Sequence, residues 1–155
     1  MREIGKENYD KFDAVINMFY SFGFFEKESD NYKTMKEFYN ALKKGGKLLL
    51  HTDVSPEMFE GGEYRFEEER TLKNGKKLII KEHYNNKTKR IEGSWTIVFN
   101  GYGEKLTPYS MRIYSKGEFE SLAKEAGFNS IKFYGSFNGD KFNNTSSELI
   151  MVAEK

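Results

Sequence analysis

Asn17 is the first residue with a claim to chemistry. It closes the apolar run Phe12-Asp13-Ala14-Val15-Ile16 and is followed by Met18 and the aromatic, glycine-bearing stretch Phe19-Tyr20-Ser21-Phe22-Gly23. A polar side chain at the end of a buried strand stands where open α/β sheets collect ligands. Tyr20 and Phe22 could line the mouth of a small-molecule pocket, or simply cover a core. Arg112 and Tyr114, in Met111-Arg112-Ile113-Tyr114-Ser115, form a second candidate pair. A guanidinium there could clamp a substrate carboxylate through its planar fork; the plainer reading is a solvated strand residue. His51 follows three leucines and could act as a general base near neutral pH, though a strand-end histidine with satisfied hydrogen bonds explains it as well. His83 lies in a polar alternating stretch and reads as surface. Two histidines so far apart, in a chain without cysteine, do not suggest a metal site. Trp95 alternates with Ile97 and Phe99, a pattern for the core of a sheet rather than a stacking platform. No residue declares itself as a catalytic nucleophile or acid.

The elements that must position these residues can be read from periodicity. Residues Phe12–Met18 are apolar on both parities, the pattern of a strand covered on two faces. Ser29-Asp30 offers helix N-cap chemistry. Met35, Phe38, Tyr39 and Leu42 then fall on one helical face. Lys43-Lys44 would occupy the last turn, and Gly45-Gly46 would end the helix. Lys47-Leu48-Leu49-Leu50-His51-Thr52 follows as a second strand. Strand, helix, strand is a βαβ unit with parallel strands.

From Glu63 to about Ser110 the pattern changes. Short alternating runs, with Asn74-Gly75 as a hairpin turn, predict an antiparallel meander with one wet face. Glu67-Glu68-Glu69 and Lys76-Lys77 read as solvated faces and edge charges. The end of the chain returns to α/β. Ser115-Lys116-Gly117-Glu118 is a capping box. Phe119, Leu122, Ala123 and Ala126 share a helical face, and Gly127 stops the helix. Ile131–Phe137 and Leu149–Ala153 read as strands. The organisation is therefore a core of residues 1–62 and 111–155, interrupted by a meander at 63–110.

Composition narrows the classes of function. The chain has 155 residues, of which 37% are hydrophobic and 16% aromatic, enough apolar mass for a core. Its 25 basic and 24 acidic residues nearly cancel, which gives no long-range attraction to nucleic acid or an anionic membrane. The lack of cysteine excludes disulfides and thiolate catalysis and fits a cytoplasmic setting. No apolar run approaches the roughly 18–20 residues of a membrane span.

In this order the pieces resemble the C-terminal two-thirds of a class I S-adenosylmethionine-dependent methyltransferase, of the small-molecule type with an antiparallel β insertion. Phe12-Asp13-Ala14-Val15-Ile16-Asn17 resembles the fourth strand of that family, and Ser21-Phe22-Gly23-Phe24-Phe25 the loop after it. Leu42-Lys43-Lys44-Gly45-Gly46-Lys47-Leu48-Leu49 resembles the helix stop and fifth strand. Ser115 through Phe128 resembles the late helix leading to the sixth strand. Met1-Arg2-Glu3 resembles the tail of the segment after the third strand. The resemblance implies a partial Rossmann-like sheet with helices on one face. It places Met1, Arg2, Asn17 and Met18 beside the cofactor, and Tyr20, Phe22, Arg112 and Tyr114 beside the substrate. It implies S-adenosylmethionine as cofactor and a small-molecule methyl acceptor.

The glycine-rich turn after the family's first strand and the acidic residue ending its second have no counterpart before residue 12. The resemblance therefore implies an incomplete cofactor site with weak or no binding. A truncated chain whose sheet face and Phe12–Met18 edge lack cover would associate, as a homodimer or with a partner chain. A non-catalytic ligand- or protein-binding module built on the aromatic meander is the alternative.

Overall fold

The computed structural model describes residues 3–59 and 62–155. Its strands and α-helices, in chain order, are β1 (Phe12–Asn17), α1 (Glu28–Ala41), β2 (Leu42–Thr52), β3 (Arg65–Thr71), β4 (Lys77–Asn85), β5 (Arg90–Phe99), β6 (Tyr102–Lys105), β7 (Tyr109–Arg112), α2 (Lys116–Ala126), β8 (Ser130–Tyr134) and β9 (Leu149–Glu154). They form two compact units, one of chain positions 1–58 and 113–155 and one of positions 59–112.

The first unit is a four-stranded sheet of order β1-β2-β9-β8. β1 and β2 are parallel, as the βαβ reading requires; β9 runs antiparallel to both β2 and β8. One face carries the core. Leu48 and Leu50 of β2 sit beside Ala153 and Met151 of β9, and on them pack Met35, Phe38, Phe119, Ala123 and Ala126 from α1 and α2. Both helices thus cover the same face. On the other face the row Ile16–Leu49–Val152 runs across β1, β2 and β9, and Ile16 is 68% exposed. The two-sided apolar pattern of β1 is thus not matched by two-sided burial. β1 is an edge strand, and only Asn17 at its end is fully buried.

Local rules hold at α2 and fail at α1. Ser115 accepts from the Glu118 amide at 3.1 Å while the Glu118 carboxylate accepts from the Ser115 amide at 2.9 Å, the reciprocal capping box. Gly127 then ends α2 in the left-handed conformation, φ 113°. By contrast, α1 begins at Glu28 after Lys27 with no side-chain cap, so Ser29-Asp30 lies inside it. It ends at Ala41, and Leu42 is already extended. The Lys43-Lys44-Gly45-Gly46 stretch is a bulge within β2, not a helix stop: the register jumps from Phe12↔Leu42 to Ala14↔Lys47. Glycine is needed there because a Cβ on Gly46 would lie 2.9 Å from the Lys43 carbonyl oxygen and 3.2 Å from that of Asp13. β8 also ends early, at Tyr134 rather than Phe137.

The second unit is the meander. It forms a sheet of order β3-β4-β5-β6, with β7 also paired to β5. Cross-strand ion pairs Lys77–Glu69 (2.6 Å) and Lys81–Glu67 (2.7 Å) lie on its exposed side. Trp95 is not core: it is 41% exposed. Its alternation with Ile97 and Phe99 places it on the apolar parity, but that face is only partly covered, and Phe66 and Phe99 are exposed as well.

Candidate functional site

The carboxyl ends of the parallel strands β1 and β2 bring the chemistry of the first unit together. Asn17 is buried at the last position of β1, opposite Leu50. The chain then turns through Phe19 and Tyr20, with φ of 53° and 58°. Two consecutive left-handed residues that are not glycine are uncommon and hold strain unless the surroundings fix them. Here three contacts do. Ser21 closes the turn, its hydroxyl donating to the Met18 carbonyl at 2.5 Å and its amide at 3.3 Å. The Phe19 amide donates to His51 Nδ1 at 3.4 Å. His51 Nε2 bonds in turn to the Glu148 carboxylate. With Nδ1 accepting and Nε2 donating, the partners assign a neutral imidazole. The rings of Phe19 and Phe137 lie 5.4 and 5.0 Å from the imidazole centroid. His51 is therefore a buried strut that pins the turn, and neither nitrogen is open to a substrate proton.

Beyond the turn, the loop dips into the core and returns. Phe22 is 6% exposed and packs against Tyr114 (5.4 Å), Phe119 (5.8 Å) and Phe38 (6.4 Å). Tyr114 is itself buried in this cluster. Between the loop and the first turns of α1 lies a cavity of about 340 Å³. Ser21, Phe22, Gly23, Phe24, Phe25, Asn31 and Thr34 line it. Of the sequence-derived candidates, Asn17, Met18, Tyr20 and Phe22 are thus consecutive parts of one strand end and its loop, and Phe22 both lines the cavity and touches Tyr114. Met1 and Arg2 lie outside the described residues. Arg112 belongs to the other unit, where β7 sets it opposite Arg90.

The meander holds a polar cluster of its own. Glu82 sits on the parity of Leu78, Ile80 and Tyr84 and accepts from the Tyr64 hydroxyl at 2.9 Å and from the Tyr109 hydroxyl. Trp95 meets Tyr109 edge-on at 6.5 Å. Burial and then the Glu82 carboxylate push the Tyr109 phenol from 10.0 up to about 12. Because the folded value is the higher one, this bond contributes fully below pH 10 and is lost as pH rises from about 10 to about 12. Urea titrations over that range should show falling stability in the native protein and a flatter slope in Tyr109→Phe.

The sequence offers His51 as a general base or as a satisfied strand-end histidine, and its contacts are those of the second. Glu148, Asn31 and Glu82 were not visible at all. The one available signal was Glu82's place on an apolar alternation, where a carboxylate is out of pattern.

No family model matches the chain. It is 29% identical over 155 residues to a glycine/sarcosine N-methyltransferase of Parasynechococcus marenigrum (strain WH8102), a match covering 99% of this chain and 52% of that protein. The chain spans about half the length of this curated relative. Among solved structures, the CcbJ methyltransferase from Streptomyces caelestis superposes with a TM-score of 0.76 at 14% identity, over 98% of this chain and 63% of that one. An S-adenosylmethionine-dependent methyltransferase from Clostridium acetobutylicum ATCC 824 gives 0.71 at 14% identity, over 93% and 58%. The fold is that of part of a class I methyltransferase domain, a mixed α/β Rossmann-like sheet.

Proposed function

We propose that this chain is the substrate-side part of an S-adenosylmethionine-dependent methyltransferase acting on a small molecule. The observation that carries this reading is the fold match over nearly the whole chain, with a pinned, cavity-bearing loop at the carboxyl ends of β1 and β2. When bound, S-adenosylmethionine supplies a sulfonium methyl group for direct transfer to an acceptor lone pair. The described residues fit one wall of such a site: buried Asn17 and the adjacent Met18 at the end of β1. Their part is positioning. The strut of His51 and Glu148 fixes the turn after Met18, and the loop from Ser21 to Phe25 orients the acceptor. Catalysis by orientation needs no further acid or base from this chain.

Isothermal calorimetry of the chain with S-adenosylmethionine tests the reading. Binding should fall in the millimolar range and be weaker still in Asn17→Leu. No heat and no thermal shift at millimolar cofactor would end the transferase reading for this chain.

The open row Ile16–Leu49–Val152 and exposed Phe12 support association through the uncovered sheet face, with a second copy as the simplest partner. Light scattering should show a dimer that Ile16→Lys shifts toward monomer; a monodisperse monomer of the native chain would remove this part. The cysteine-free composition favours a cytoplasmic setting. Among the described residues no helix is long and apolar enough to cross a membrane.

A further inference from the structure

We propose that Glu148, Phe19 and Phe137 form a binding site for an alkylated ammonium ion at the carboxyl ends of the parallel strands. The alternation of β2 puts Leu48 and Leu50 in the core and Leu49 and His51 on the helix-free face. His51 stands one alternation beyond the row Ile16–Leu49–Val152, toward the ends of the strands. It is 3% exposed, and the rings of Phe19 and Phe137 lie against it. Those rings are themselves open: Phe19 is 72% exposed and Phe137 60%. Both stand on braced backbone. Phe19 sits in the turn that Ser21 closes. Phe137 sits in a turn where the Gly135 amide donates to the Asp140 carbonyl at 2.8 Å and the Ser136 hydroxyl to the Asp140 carboxylate at 2.6 Å. Two large apolar rings are thus held open to water at the end of a sheet where ligands collect.

Glu148 supplies the charge. Its Oε2 is taken by His51 Nε2. Its Oε1 has no hydrogen-bond partner among the described residues and is not sealed from solvent, and the side chain is 26% exposed. His51 is its sole ion-pairing neighbour among the described residues, and that imidazole is neutral by its bonds. No cation of the described residues stands over Phe19 or Phe137 either; Lys36, Lys76, Lys116 and Lys155 take other rings. The ligand is selected by charge. An accessible carboxylate attracts a cation and repels an anion. Aromatic rings favour a cation with an apolar surface, whose charge meets the ring quadrupole and whose alkyl groups shed water readily. A metal ion is a poor match. One carboxylate oxygen falls far short of the about six or more oxygens that calcium takes, and the described residues hold no group of three metal-ligating side chains. An alkylated ammonium satisfies carboxylate and rings together. Its identity as the amine of the methyl transfer rests on the transferase reading; as a binding site, the cluster stands without it.

Ligand-observed NMR titrations of the chain with tetramethylammonium, tert-butanol and acetate test it, the first two being close in shape and different in charge. Tetramethylammonium should bind in the millimolar range, tert-butanol at least about fivefold more weakly, and acetate not at all. Glu148→Gln keeps an amide oxygen for His51 and removes the charge; it should weaken tetramethylammonium about fivefold. Phe137→Leu, at an exposed position, keeps apolar cover over His51 and removes the ring; it should weaken binding about threefold. Silence of tetramethylammonium, equal binding of tert-butanol, or unchanged affinity in either variant would overturn the proposal. Displacement of tetramethylammonium by S-adenosylmethionine would give the site to the cofactor and overturn it as well. Calorimetry with S-adenosylmethionine separates the two readings. Tetramethylammonium binding without cofactor binding keeps the site and removes its transferase role. Cofactor binding with tetramethylammonium silent removes the site alone.

Discussion

Gly93→Ala should destabilise the meander by about 3 kcal/mol, the upper part of the range for overpacking a close contact. Gly93 of β5 pairs with Tyr109 of β7 and with Glu82 of β4. The Tyr109 ring lies across the glycine, and a methyl group there would overlap it. To make room the ring must swing away, and its hydroxyl would leave the Glu82 carboxylate. The loss therefore combines a steric cost with a broken charge-assisted bond. Trp95 is the only tryptophan in the sequence and stands edge-on to Tyr109, so its fluorescence follows the event directly. Urea titration read at Trp95 should show the lowered midpoint. The double variant Gly93→Ala/Tyr109→Ala should lose clearly less than the two single losses added together, because the ring that causes the clash is gone. Additive losses would show that the clash is not the cause.

Phe22→Ala should cost about 3–5 kcal/mol in the other unit, as for other buried aromatics truncated to alanine. Phe22 is a loop residue by position but a core residue by contact, touching Phe38, Tyr114 and Phe119. Its removal would hollow the cluster and merge the void with the adjoining cavity. Phe22→Leu keeps most of the volume and should cost under about 1.5 kcal/mol. Thermal unfolding followed by circular dichroism distinguishes the two. If alanine were tolerated as well as leucine, the loop would not be part of the core.

Elements governed by neighbouring residues were legible in the sequence. The capping box at Ser115 and Glu118, the stop at Gly127 and the register-setting strands of the βαβ unit all depend on spacings of a few residues. Gly45-Gly46 is ambiguous in the sequence because the same glycine freedom serves a helix end and a strand bulge alike, and only the approach of the Asp13 carbonyl selects the second. Trp95 departs from its expected place in the core because alternation reports which face a residue occupies, not how well that face is covered. The site was harder still. His51 and Glu148 are 97 positions apart, and no local pattern ties a carboxylate in a polar loop to a particular imidazole. Asn31 stands on a helix whose periodicity marks only its apolar neighbours. The aromatic loop itself was legible, because Tyr20, Phe22 and Gly23 stand together at a strand end.

The engagement of both His51 nitrogens has a kinetic consequence. A methyl transfer to an amine leaves a cationic nitrogen that must shed a proton, and an enzyme with a free base at hand imprints that base's titration on its rate. Here the imidazole holds a backbone amide on one side and a carboxylate on the other. On the transferase reading proposed above, His51 is therefore not the group that takes that proton.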